Sequence, residues 1–259
     1  LLSGELTPER LLERALALDA RLAVDDLRRG GLDDSARAAL GRAALRLRDH
    51  APELGMLPAG GVRETGEVLR KVELGEQFFA EGLTLVPGNP DAEPPTPDTL
   101  IQLTWRERTA IVWSLETLQP IGSYLYETEG WGICYDGARL LMSDGTSNLY
   151  VRSPATFQLQ AMIPVTLDGE PVLNLNELEC VGGDVYANIW QTDTIVRIDP
   201  ATGAVTAVVD ASVLLTPDER TALEGGAVLN GIAYNPDAET FYITGKLWQK
   251  VFEVRFVPE

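Results

Sequence analysis

A unit of short β-strands recurs four times in this 259-residue chain, and it restricts the fold more than any other feature. Its second strand reads LIQLTW, RLLMSD, VYANIW and FYITGK, ending at Trp105, Asp144, Trp190 and Lys246. Four residues after each end a third strand begins: TAIVWSLETL, NLYVRSPATF, TIVRIDPATG and KVFEVRFVPE. Upstream lies a first strand, EGLTLV from Glu81, EGWGICYDG from Glu129, NELECV from Asn176 and NGIAYN from Asn230. An outer strand follows the third in QPIGSYLYE, FQLQAMIPV and GAVTAVVD. β-Branched and aromatic residues alternate with polar ones, and Gly, Asn and Asp turns punctuate them, which is strand patterning. Four antiparallel strands per unit of about 40–50 residues is the signature of a β-propeller blade. A sandwich has no need of one four-strand unit repeated in register. The expected fold is therefore all-β, a propeller with four recognisable blades.

That arrangement predicts a site. Strands one and two are antiparallel neighbours, so the start of one lies beside the end of the other. The innermost strands surround the central channel. Glu81, Glu129, Asn176 and Asn230 should gather at one channel mouth with Trp105, Asp144, Trp190 and Lys246. Trp131, two residues beyond Glu129, shares its face. An ammonium at the end of an inner strand is not something repetition requires, so Lys246 is either functional or a solvated turn residue. The tryptophans are either walls of a site or packing between blades. Trp113 and Trp248 fall outside the set and are expected to be packing residues.

The chain divides by composition. Residues 1–60 are rich in Ala, Leu and Arg, and 61–259 carry the β pattern. TPERLLERALALDARLAVDDL has Thr7 as N-cap and Pro8 at the first helical position, and DDSARAALGRAALRLRDH follows from Asp33 or Asp34 to near Pro52, which together predict an αα-hairpin. GNPDAEPPTPDT, Gly88 to Thr99, reads as a polar loop. RETGEVLRKVEL, Arg63 to Leu74, parallels PATGAVTAVVDA, Pro200 to Ala211, and reads as the outer strand of a further blade. The three inner strands of that blade are not recognisable before it.

Several function classes drop out. The two cysteines, Cys134 and Cys180, form no CxxC, which excludes a thiolate zinc site. Both fall in inner strands and are expected to be buried free thiols, with a disulfide the lesser option. His50 is the single histidine, which excludes a histidine-built zinc hydrolase and leaves a Ser-His-Asp triad only that residue. No metal and no cofactor is expected. A net charge of -18 repels nucleic acid and anionic membrane surfaces alike. No apolar run is long enough to span a membrane. The chain begins at Leu1 rather than Met, and a leader that was removed or never included is an expectation from that start.

FFAEGLTL, LTWRE, EGWGICYDG, LLMSDGTSNLY, LNELECV, ANIWQTDTIVRIDPATG, LNGIAYNP and TGKLW, in this order, resemble the glutaminyl-peptide cyclotransferases of the plant and bacterial type over residues 63–259. The resemblance implies a five-bladed propeller that converts the N-terminal glutamine of a peptide or protein into pyroglutamate and releases ammonia without a metal. It also implies export, and a monomer is expected. The channel-mouth residues of that family match Glu81, Trp105, Trp131, Asn176, Trp190 and Lys246. Such chemistry asks for a carboxylate that carries a proton from the attacking α-amine to the leaving nitrogen, a role that falls to Glu81. Lys246 or Asn176 would stabilise the oxyanion. The tryptophans would form a dry slot that folds the glutamine back on its amine and raises the carboxylate's pKa. Glu129, Asp144 and Asn230 complete the expected substrate-binding set. The family's Phe-Thr-Gln-Gly-Leu-like and Tyr-Glu-Ser-Thr-Gly-like segments of the first blade are absent, and the helical stretch occupies their place. Two other readings stand beside the enzyme. One is a degenerate propeller that binds peptide N-termini without turnover. The other is a lactonase with a calcium site from Glu129, Asn176 and Asn230, which the Lys246 charge opposes.

Overall fold

The computed structural model describes residues 70–223 and 225–257. The helical segment expected over residues 1–60, His50 included, lies outside the described residues, as does most of the expected outer strand at 63–74. Its described end, Arg70–Leu74, is in no strand.

Four antiparallel sheets follow one another as the blades of a β-propeller. The first contains β1 (Ala80–Val86), β2 (Thr99–Thr104), β3 (Thr109–Ser114) and β4 (Pro120–Leu125). The second contains β5 (Ile133–Tyr135), β6 (Leu140–Met142), β7 (Asn148–Arg152) and β8 (Leu159–Pro164). A two-stranded hairpin, β9 (Thr166–Leu167) and β10 (Glu170–Pro171), leads into the third: β11 (Leu175–Val181), β12 (Asp184–Ile189), β13 (Thr194–Ile198) and β14 (Val205–Asp210). The fourth has β15 (Val228–Asn235), β16 (Thr240–Lys246) and β17 (Phe252–Val254). Within each blade the strand order is the chain order, as the repeat requires. The third strands of the first three blades begin at Thr109, Asn148 and Thr194, where the constant offset of four placed them, and that of the fourth begins two residues late, at Phe252. The loop between β1 and β2 is the proline-rich stretch, closed where the amide of Gly88 donates to Asp98 Oδ1 and that of Asn89 to Thr96 Oγ1, both at 2.8 Å.

The core lies between blades, and period-two alternation assigns each side chain to one neighbour or the other. Leu140 and Met142 of β6 pack with Ile101, Leu103 and Ala110 of the first blade. Leu141, between them in sequence, points the other way and packs with Leu178, Val185 and Ala187 of the third. Ile195 of β13 joins Leu229, Ile232, Phe241 and Ile243 of the fourth. Burial of each such side chain is worth about 1.5–3 kcal/mol. Trp113 and Trp248 are buried, as packing residues should be.

The expectation of free thiols is corrected: Cys134 of β5 and Cys180 of β11 form a disulfide with Cα atoms 5.5 Å apart. Both lie on the innermost strands of adjacent blades, which the ring brings face to face. Sequence distance hides that proximity.

A second correction concerns strand register at the channel. In β1 the pairing slips between Ala80 and Leu83, so Glu81 and Gly82 together oppose one residue of β2. Asn176 and Glu177 do the same in β11, and Asn230 and Gly231 in β15. In the second blade the amide of Trp131 donates to Ser143 O while the Ser143 amide donates to Gly132 O, so Trp131 and Gly132 share one partner. These are β-bulges, which bend a strand and re-aim a side chain. The residue equivalent to Glu81, Asn176 and Asn230 is therefore Trp131, not Glu129. Glu129 lies two residues earlier, before β5 begins.

Candidate active site

Each bulge presents one side chain where the four inner strands converge. The strands are stitched together at this level by polar contacts. The Gly82 amide donates to Trp131 O at 2.8 Å, joining the first two blades. The Ser143 hydroxyl accepts from the Gly132 amide at 2.8 Å and donates to Asn176 O at 2.6 Å, joining the second and third. The Gly231 amide donates to Asn188 Oδ1 at 3.0 Å and the Tyr234 amide to Glu179 Oε1 at 3.0 Å, joining the third and fourth. The approach is so close that a Cβ on Gly132 would stand 2.1 Å from Asn176 O, which only glycine permits.

Glu81 and Lys246 come from the first and fourth blades and meet across this convergence. Lys246 Nζ lies 3.7 Å from Glu81 Oε1, and the carboxylate is 12% exposed against 41% for the lysine. Burial pushes the Glu81 carboxyl above its ordinary range, and the Lys246 charge pulls back against it. A carboxylate whose pKa is raised by burial is a stronger base than a solvated one.

Beside this pair stands an aromatic wall organised by Glu129. Glu129 Oε2 accepts from Trp105 Nε1 at 2.8 Å and from Trp131 Nε1 at 3.1 Å, while its Oε1 accepts from Arg106 Nε at 3.2 Å. Burial works against charge on Glu129, but the three donors prevail and hold its carboxyl below the usual range. Its carboxylate fixes two indoles. The Arg106 guanidinium also stacks on the Trp105 ring at 3.8 Å. Trp131 meets Trp190 edge to face, ring centroids 5.3 Å apart. The Trp131 ring passes over Gly145, where a Cβ would lie 2.7 Å from it, and Gly145 also has φ of +84°. Glu129 and the ring contact thus bring Trp105, Trp131 and Trp190 together.

The remaining expected residues sort less uniformly. Asn176 is buried, and its Oδ1 has no hydrogen-bond partner among the described residues. Asn230 uses its Oδ1 to accept the Glu177 amide at 3.4 Å. Asp144 turns back on its own connection, accepting from the Thr146 amide at 3.0 Å and the Thr146 hydroxyl at 2.6 Å. Glu129 and Asn230 thus spend their oxygens on protein donors, while Asn176 Oδ1 is unengaged among the described residues. Among the described residues no group of three His, Cys, Asp or Glu side chains could hold a metal ion.

Three neighbours of the site escaped the sequence reading. Phe79 packs on Trp105 with centroids 5.7 Å apart, and Lys246 Nζ lies 6.0 Å from its ring centre. Arg106 pairs with Glu129. Glu177 fills the bulge position that is glycine in the other three blades, and it feels both Glu81 and Lys246. Burial, then the charges of Glu179 and Glu81, push the Glu177 carboxyl to about 8. The odd residue out among Gly82, Gly132 and Gly231 was the available signal for it.

Residues 58–256 match the sequence model of the family described as glutamine cyclotransferase. The chain belongs to that family. It is 34% identical over 190 residues to a glutaminyl-peptide cyclotransferase of Arabidopsis thaliana, an alignment covering 73% of this chain and 56% of that protein. The chain thus spans little more than half the length of this curated relative. Among solved structures it resembles the crystal structure of Myxococcus xanthus glutaminyl cyclase, with a TM-score of 0.63 and 42% identity over 71% of this chain and 75% of that one.

Proposed function

We propose that the chain cyclises the N-terminal glutamine of peptides or proteins to pyroglutamate, with release of ammonia. The observation that carries this reading is the Glu81–Lys246 pair at 3.7 Å beside three tryptophans, in a member of the glutamine cyclotransferase family. The aromatic wall excludes water and holds the side chain folded so that the α-nitrogen approaches its own Cδ carbonyl. As the C–N bond forms, Glu81 takes the proton from the α-nitrogen. The carbonyl oxygen gains charge and is met by the Lys246 ammonium, a fixed cation that needs no reorganisation. Collapse of the tetrahedral species breaks the bond to the side-chain nitrogen. Glu81 returns its proton there, and ammonia leaves. Protons and charge balance with no external reagent. Asn176, whose buried Oδ1 is unengaged, has the free hydrogen-bonding capacity to orient the substrate amide or amine.

The test is incubation with a short Gln-leading peptide and mass spectrometry for loss of one ammonia. The unmodified chain should convert it. Glu81→Gln should remain folded and lose about 10²–10⁴-fold in kcat. Conversion at an unchanged rate by Glu81→Gln would remove the proton shuttle. A folded chain that binds the peptide without converting it would establish a peptide-binding propeller instead.

A further inference from the structure

Phe79 is an exposed aromatic side chain at the rim of the site, 53% accessible, and its surroundings hold it still. Its amide donates to Glu107 Oε2 at 3.1 Å, and its carbonyl accepts the Trp105 amide at 2.9 Å. Its ring leans on Trp105, which Glu129 and Arg106 immobilise in turn. Burial does not explain a large apolar ring fixed by its backbone at both ends and left in solvent.

We propose that Phe79, backed by Trp105, is the shelf on which the side chain of the substrate's second residue lies, so that peptides with an apolar or aromatic second residue are preferred. This rests on the cyclisation reading above. Phe79 precedes Glu81 by two residues, about 7 Å along an extended strand. Consecutive Cα atoms of a peptide are about 3.8 Å apart. A glutamine folded onto Glu81 therefore brings the next side chain within reach of the Phe79 ring. The contact is apolar on one side and bounded by Lys246 and Arg106 on the others. It offers a phenyl or aliphatic group a partner and a glycine nothing. Rigidity matters because a shelf ordered in advance loses no side-chain entropy when the substrate binds. Phe79 acts on specificity rather than on the reacting atoms.

The experiment compares kcat/KM for Gln-Phe-Ala, Gln-Leu-Ala and Gln-Gly-Ala amides, using the unmodified chain, Phe79→Ala and Phe79→Leu, with thermal melts to confirm folding. The unmodified chain should favour Gln-Phe-Ala over Gln-Gly-Ala by about tenfold, carried in KM, the size of one added aromatic contact. Phe79→Ala should bring that ratio close to one, and Phe79→Leu should restore most of it. A ratio near one in the unmodified chain, or a ratio that survives Phe79→Ala, overturns the shelf. If no peptide is converted, the cyclisation reading fails separately. Tryptophan-fluorescence titration with the same peptides then decides the shelf: tenfold tighter binding of Gln-Phe-Ala supports it, and equal affinities overturn it.

Discussion

Breaking the Cys134–Cys180 disulfide should lower the stability of the chain by about 4 kcal/mol. The bridge closes a loop of 46 residues that contains most of one blade and the hairpin leading to the next. In the chain-entropy treatment a loop of this size removes about 13–14 cal/mol/K from the unfolded ensemble, which is about 4 kcal/mol at 25 °C. The bridge also spans a contact that no other covalent link supports, between the innermost strands of adjacent blades. The assay is urea unfolding followed by tryptophan fluorescence on the oxidised chain, the fully reduced chain and Cys134→Ala/Cys180→Ala. The reduced chain keeps both sulfurs and so separates cross-linking from packing. Both perturbed forms should lose about 4 kcal/mol, with the double variant slightly worse because Cys134 is buried in the interblade core. A loss below about 1 kcal/mol in both would refute the reasoning. So would alkylation of the untreated chain at both cysteines under denaturing, non-reducing conditions.

Other consequences are as direct. Glu129→Gln replaces an acceptor-only carboxylate with an amide that cannot accept from three donors through two oxygens, and it should lower kcat/KM by about tenfold as the hydrogen bonds to Trp105 and Trp131 weaken; peptide kinetics that match the unmodified chain would show that the clamp is idle. The Glu177 and Glu179 carboxyls, raised to about 8 and about 7, bind protons more tightly in the folded chain than when unfolded, so the stability these two groups contribute is fully present below the ordinary carboxylate range and is lost as pH rises toward 8. Glu177→Gln should flatten that fall, and melting temperatures for both chains between pH 5 and 9 would show no difference in slope if Glu177 titrates normally. Gly132→Ala drives a Cβ against the Asn176 carbonyl and should cost about 3 kcal/mol or prevent folding, measured by thermal melt; a melting temperature unchanged by the added methyl would mean that the inner strands can part without penalty.

Much of this architecture was legible beforehand. The blade boundaries could be read because β-strand patterning has period two and turn residues interrupt it, both of which are local. The constant offset between second and third strands is equally local, since a tight turn fixes it. Convergence of Glu81, Trp105, Trp131, Trp190 and Lys246 followed from topology, because antiparallel neighbours put the start of one strand beside the end of the next. The error over Glu129 came from the bulges. An extra residue shifts every side chain to the opposite face, and GWG gives no cue as to which residue is the extra one until its partner, Ser143, is in place.

The order of strands within a blade, the membership of the glutamine cyclotransferase family and the residue types at the channel mouth are properties of the chain read in one dimension, set by nearest neighbours. The ring decided the rest. It brought Cys134 to Cys180, Glu81 to Lys246, and Glu129 under two indoles from different blades. It brought Glu177 close enough for the Glu81 charge to act on it, and desolvation raises both carboxyls. These pairs lie between 2 and 165 positions apart, and most draw their partners from different blades. Their proximity depends on how far each bulge bends its strand and how closely glycine lets neighbouring strands approach, and both quantities exist only once the blades have packed.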